Sequence, residues 1–295
     1  MRILSWLSPL GVLRRQRVPA PAAIVVWAGL SCALVCAWVL CYALAVSTVQ
    51  QGREQQRLYG ELRGQLALAT APIGGEIDPG TPVALLEAPR IHLRQVVVEG
   101  TAASVLRAGP GHRRNTPLPG QPGTAVLYGH ATAFGAPFRS ITGLAAGDTI
   151  TVTTGQGRFD FQVSGVRRAR DPLPVPAPAG TGRLTLVTAE GGGWRTGWAP
   201  DRVVYVDAVM HGTAQPVPPG RPRSVDTAEQ AMQGDPDGFI PLVLWLQVLG
   251  LAAAAATVGR LRWGGAQTWF VGVPVLLAGL WGMAESIAQL LPNLS

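Results

Sequence analysis

Three long runs with almost no charge constrain this chain more than any other feature. Ala22 to Val46 and Phe239 to Gly259 contain no charged residue, and Trp269 to Leu291 contains only Glu285. Each is long enough to cross a hydrocarbon core of roughly 30 Å as a helix. Hydrophobic residues make up 47% of the 295 residues and charged ones 14%, and the apolar excess sits at the two ends, which excludes an ordinary soluble domain. A cleaved signal peptide is the rival reading for the first run. That run is longer than the roughly 7–15 residues of a signal h-region and lacks an Ala-x-Ala exit, so it reads as a retained anchor.

Arginine placement sets the expected orientation. Arg2, Arg14, Arg15 and Arg17 precede the first run, and Arg260 and Arg262 lie between the second and third. Positive charge favours the cytoplasmic side, so the expected order is a cytoplasmic segment 1–21, a span 22–46, a stalk 47–82, an external domain 83–212 and a linker 213–238. A span 239–259, a cytoplasmic loop 260–268, a span 269–291 and an external tail 292–295 complete it. The protein is thus expected in the cell membrane, multi-pass, with its domain on the extracytoplasmic side. The net charge of +7 is partly this topology signal. Its remaining basic residues are scattered rather than interleaved with aromatics, so nothing supports nucleic acid as a partner. Glu285 must sit near the outer interface or face another helix.

Between the spans the pattern changes twice. Gln50 to Ala69 is rich in Gln, Arg and Glu and reads as an exposed polar helix spacing the domain from the membrane. The Pro/Gly-rich stretch Ala71 to Pro82 then breaks the helix. Short β-type runs follow at Val83–Leu86, Gln95–Val98, Ala125–Tyr128, Thr149–Thr153, Arg158–Val166, Leu184–Thr188 and Arg202–Val209, with turn residues between them. This spacing predicts a mostly β barrel or sandwich. Ala102–Ala108 and Pro137–Leu144 are short helical candidates, and Asp171–Ala179 is a proline-rich loop.

All three cysteines, Cys32, Cys36 and Cys41, lie in the first run, so the external part carries no thiol. His92, His112 and His130 have no metal-ligand spacing, and no metal or cofactor is expected. His92 and His112 read as surface or groove-wall residues.

Several motifs then occur in a fixed order. They are Ala88-Pro89-Arg90-Ile91, Gly109-Pro110-Gly111-His112, Pro119-Gly120-Gln121-Pro122-Gly123, Tyr128-Gly129-His130, Gly135-Ala136-Pro137-Phe138, Leu144-Ala145-Ala146-Gly147-Asp148, Leu184-Thr185-Leu186-Val187-Thr188-Ala189 and Asp201-Arg202-Val203-Val204. In order and spacing, over about Glu87 to Met210, this resembles the sortases, membrane-anchored cysteine transpeptidases, and in particular classes D and E. The resemblance implies a closed β-barrel of about eight strands, with a substrate groove beside the strands that end at His130 and Ala189. It further implies a thiolate at position 189 attacking a threonyl carbonyl, His130 as acid and base, and Arg202 stabilising the oxyanion or positioning the substrate. Tyr128, Thr188 and Trp194 would line the groove.

Ala189 stands where the family has its cysteine. A methyl group can neither attack nor leave, so the covalent route is closed. Thr188 should point to the opposite strand face and is a poor substitute. Glu190 shares that face unless a turn swings it toward His130 to make a carboxylate–histidine pair. For Arg202 the alternative to a groove role is a salt bridge to Asp201 or Asp207. The resemblance with the missing thiol implies a non-catalytic sortase-like protein that binds sorting-signal peptides, cell-wall precursors or an envelope partner. The alternative is a transpeptidase joining surface proteins to the cell wall, should Ala189 replace a native cysteine.

Overall fold

The computed structural model describes residues 33–168, 170–174, 178–190, 202–262 and 264–294. Eight strands close into one barrel: β1 (Pro82–Ala88), β2 (Leu93–Glu99), β3 (Gly111–His112), β4 (Gly123–Tyr128), β5 (Thr149–Thr154), β6 (Gly157–Arg168), β7 (Gly182–Glu190) and β8 (Arg202–His211). Their order around the barrel is β1-β2-β3-β4-β7-β8-β6-β5. Neighbours pair antiparallel except β2 with β3 and β4 with β7. The interior is filled by alternate residues of each strand, among them Leu86, Leu127, Ile150, Phe161, Leu184, Leu186 and Val206, all at 0% exposure. The seven β-type runs all form strands. Only β3 escaped the pattern, because two residues are too few for a period.

Besides the helical segment 33–46, the helices that accompany the barrel among the described residues include α1 (Ser47–Ala67), α2 (Ala103–Leu106), α3 (Phe239–Arg262) and α4 (Gly265–Leu290). The eight strands together hold fewer residues than α1, α3 and α4, which have 21, 24 and 26. "Mostly β" therefore describes the barrel and not the whole chain. Two helices among the described residues, Pro236–Arg262 and Gly265–Leu290, are long and apolar enough to cross a membrane. They pack against each other so closely that a Cβ on Gly282 would collide with the Trp245 ring. Of the expected span 22–46, residues 22–32 lie outside the described residues. Its described part, 33–46, is helical and enters α1 through a π-helical turn at Tyr42–Val46. Glu285 faces this helix: the Tyr42 hydroxyl donates to Oε1 at 3.4 Å and Trp281 Nε1 donates at 3.1 Å.

The expected exposed stalk is instead a docked helix. Leu58 and Leu62 of α1, each 1% exposed, pack on Val96 and Val98 of β2. Gln55 bonds as a neighbouring strand would: its Nε2 donates to the carbonyls of Val96 (3.1 Å) and Ala108 (2.8 Å), and its Oε1 accepts the Val96 amide at 2.7 Å. The sequence concealed this docking because its apolar stripe is only Leu58, Leu62 and Leu66, and the remaining grip comes from amide groups. His112 also departs from expectation. It is 1% exposed, and its Nδ1 lies 2.8 Å from Glu99 Oε2 while its Nε2 lies 3.0 Å from the Pro117 carbonyl. It is a core residue joining β2, β3 and the following loop. His92 is exposed.

Candidate functional site

Strand β7 is covered on both faces, so every residue from Leu184 to Ala189 is buried, the threonines included. Leu184 and Leu186 point into the barrel, while Val187 (1% exposed) and Ala189 (5%) lie on the outer face. The parallel pairing of β4 with β7 and the antiparallel pairing of β7 with β8 bring Tyr128, Val187, Ala189, Val203 and Tyr205 together on that face. This is the face on which the resemblance places a groove beside His130.

The end of β4 is locked to β7. The Gly129 amide donates to the Val187 carbonyl at 3.1 Å, and the Thr188 hydroxyl donates to the Gly129 carbonyl at 2.9 Å. Thr188 is thus a strap between the strands. Gly129 is required because the Phe138 ring lies where a Cβ would be, 2.6 Å away. His130 follows at 3% exposure. Its ring lies 5.0 Å from that of Phe134, and its carbonyl accepts the Phe138 amide at 3.1 Å. Phe134, Gly135 and Ala136 are all left-handed (φ 50°, 71° and 45°), a conformation that non-glycine residues hold only when their surroundings fix it. Those surroundings are visible. The Phe134 amide donates to Ser47 Oγ at 3.2 Å, and its ring packs with Tyr42, Ala284 and Ala288. The loop that carries His130 is therefore held by the helix at 33–46, α1 and α4.

Arg202 is exposed at the first position of β8. Register places Val203 opposite Ala189 and Arg202 opposite Glu190, so the arginine starts out on the Glu190 side of the strand pair. Glu190 is engaged by Arg168, whose Nε and Nη2 donate to its two oxygens at 2.8 and 3.1 Å. This bidentate bond holds the Glu190 carboxyl below its usual range, with a smaller contribution from Arg202. β7 continues through Glu190, so the strand does not turn this carboxylate toward His130. Asp207, one of the two expected partners of Arg202, instead accepts from Arg167 Nε at 2.6 Å and from the Thr185 hydroxyl at 2.7 Å. The other, Asp201, lies outside the described residues, as does Trp194.

Tyr128 is 3% exposed, and burial raises its phenol above the ordinary value while Arg113 and the Ala231 backbone bond to it. Ala231 belongs to the linker, and it was not foreseen at the groove. Leu106, Ala131, Met232 and Leu294 also close over the same face. No local signal marks these residues, because they come from four separate parts of the chain. Among the described residues no group of three His, Cys, Asp or Glu could hold a metal ion.

The sortase domain model matches residues 86–209, which are the barrel with its groove strands. Residues 86–209 are a sortase domain. It is 31% identical over 86 residues to sortase D of Bacillus subtilis, covering 29% of this chain and 42% of that protein. It is 30% identical over 125 residues to sortase SrtE1 of Streptomyces coelicolor, covering 40% and 34%. The chain thus aligns with less than half the length of either relative. Among solved structures it is similar to a Clostridium perfringens sortase D5 transpeptidase (24% identity, TM-score 0.44, 54% of this chain and 99% of that one). It is also similar to the Actinomyces oris SrtA sortase (25% identity, TM-score 0.42, 52% and 96%). The sortase domain of this chain carries alanine where the family resemblance places the nucleophile.

Proposed function

We propose that this protein is a membrane-anchored sortase-family member that does not catalyse transpeptidation and acts instead as a binding module of the cell envelope. Ala189 carries the reading. Acyl transfer needs a group that attacks a carbonyl and later leaves it, and a methyl does neither. The other candidates are occupied: the Thr188 hydroxyl bonds to Gly129, and the Glu190 carboxylate bonds to Arg168. The three cysteines of the chain all precede α1 in sequence. Its ligand class is a sorting-signal peptide, a cell-wall precursor or an envelope protein, received on the face made by Tyr128, Val187 and Ala189. His130 is its proposed polar contact on that face, and Arg202, at the start of β8 beside Glu190, is its proposed contact at the rim. The barrel is placed outside the membrane by the arginine asymmetry described above.

The test uses the full chain in nanodiscs with threonine-containing sorting peptides and peptidoglycan fragments. No cleavage and no acyl adduct should appear. Cleavage by the unaltered chain that disappears in His130→Ala would overturn the reading. Binding should weaken about five- to a hundredfold in Arg202→Ala or His130→Ala, as expected when one partner of a buried polar contact is removed.

A further inference from the structure

The groove over Ala189 is filled by the chain itself. Leu294, beyond the end of α4, is 0% exposed and sits in one apolar cluster with Leu106, Tyr128, Ala131, Val187 and Ala189. Its carbonyl accepts the Ala131 amide at 3.1 Å, one residue past His130. Asn293, also 0% exposed, donates from Nδ2 to the carbonyls of Thr101 (2.8 Å) and Gln230 (2.9 Å), and its amide donates to the Gln233 carbonyl at 2.9 Å. The linker is held in the same place. The Thr101 hydroxyl donates to the Glu229 carbonyl at 2.6 Å, Ser104 Oγ donates to Asp235 Oδ2 at 3.1 Å, and the Asp235 amide donates to the Gln289 carbonyl at 2.8 Å. Gly234 lies so close to the Leu290 carbonyl that a Cβ there would collide with it. Met232, left-handed at φ 63°, turns the linker so that Ala231 and Met232 both reach the groove cluster.

From these contacts we infer that the groove is an intramolecular docking site whose occupant is the chain's own Asn293–Leu294 segment. The contact latches the barrel by its groove face to the end of α4. Leu294 is the apolar anchor and Asn293 the polar lock. The floor is suited to this occupant, because a methyl at position 189 leaves an uncharged surface on which leucine can rest. An external peptide reaches the same floor only when the segment leaves it. The structure holds the segment in place, and a tethered segment has an effective concentration on the order of millimolar, which an external peptide must match to displace it. The inference rests on the groove location used in the proposed function but not on any external ligand.

The latch is tested by the labelling rate of one thiol in the full chain in nanodiscs, with Cys32, Cys36 and Cys41 replaced by serine. Ala189→Cys should react slowly with a maleimide in this background. Adding Leu294→Asp should speed labelling about 30-fold or more, the lower end of what losing a buried leucine costs. Ala208→Cys, inside the barrel, reports unfolding and should stay unreactive with and without Leu294→Asp. Should Leu294→Asp expose it, Asn293→Ala decides the matter by the same comparison. A synthetic peptide with the sequence of residues 289–295, added at millimolar concentration, should restore protection to the Leu294→Asp variant. The same peptide with aspartate at the Leu294 position should not. Equal labelling of Ala189→Cys with and without the latch substitutions would overturn the inference, as would failure of the peptide to protect. An opened groove that protects with this peptide but binds no envelope peptide would sink the proposed ligand and leave the latch standing.

Discussion

The docking of α1 on the barrel gives the sharpest test of how this molecule is held together. If α1 is a free polar spacer, shortening Leu62 costs almost nothing, because an exposed helix loses little on Leu→Ala. In the structure Leu62 is 1% exposed against Val96 and Val98, where truncation removes transfer free energy and leaves a cavity. Such changes cost about 2–5 kcal/mol, and the lower half applies here because the site lies between a helix and the outer barrel surface. Gln55→Leu keeps the volume but deprives the Val96 amide and carbonyl of the bonds that Gln55 now makes, at about 1–3 kcal/mol. For a unit of about 150–250 residues, each kcal/mol shifts a melting midpoint by roughly 2–4 °C. Leu62→Ala should therefore lower the midpoint by about 4–14 °C and Gln55→Leu by about 2–12 °C. Both are measured on the full chain in nanodiscs, with hydrogen exchange followed at the Val96 amide. Exchange at Val96 should accelerate in both variants. Midpoints within about 1 °C of the parent, with Val96 exchange unchanged, would refute the docking argument and restore the free stalk.

Other expectations follow from single contacts. Gly129→Ala places a methyl against the Phe138 ring, and overpacking of this kind costs about 1–3 kcal/mol, so the midpoint should fall by several degrees; an unchanged midpoint would show that the loop yields freely. Glu229 is buried and its carboxyl is held above the usual range, chiefly by desolvation and despite Arg114 and Arg113, with Asp226 and Glu99 adding to the rise. The folded state then binds the proton more tightly than the unfolded one, so linker docking strengthens as pH falls through the raised value and weakens as it rises. Hydrogen exchange of residues 226–238, corrected for intrinsic rates, should slow relative to the corrected value between pH 7.5 and 5; Glu229→Gln should abolish that trend, and a trend of opposite sign in the parent would contradict it. Protease sites inserted at Gly220 and at Gly264 should be cut from opposite sides of the membrane, and equal access would show that the arginine asymmetry had been misread.

Much of this protein is legible from one dimension. The charge-free runs need only length and composition, and the strands show themselves through β-type runs between turn residues. The site motifs are local as well: Gly129-His130, Leu184 to Ala189 and Arg202 each sit on or beside one strand, so their order survives without coordinates. Ala189 is the clearest case, since the absence of a thiol is a property of the residue and no fold can supply one. Tertiary structure decided what touches what. Register set Arg202 opposite Glu190 and Val203 opposite Ala189, and a one-residue step in register exchanges the two faces of a strand. The docking of α1 depends on Gln55 meeting Val96 in the part of β2 that the two-residue β3 leaves unpaired, 41 residues away in sequence. The filling of the groove depends on Leu294 meeting Ala131 and Ala189, and on Asn293 meeting Thr101, 192 residues away. Periodicity reports whether a residue will be buried, but the partner that buries it is chosen by chain closure over such distances.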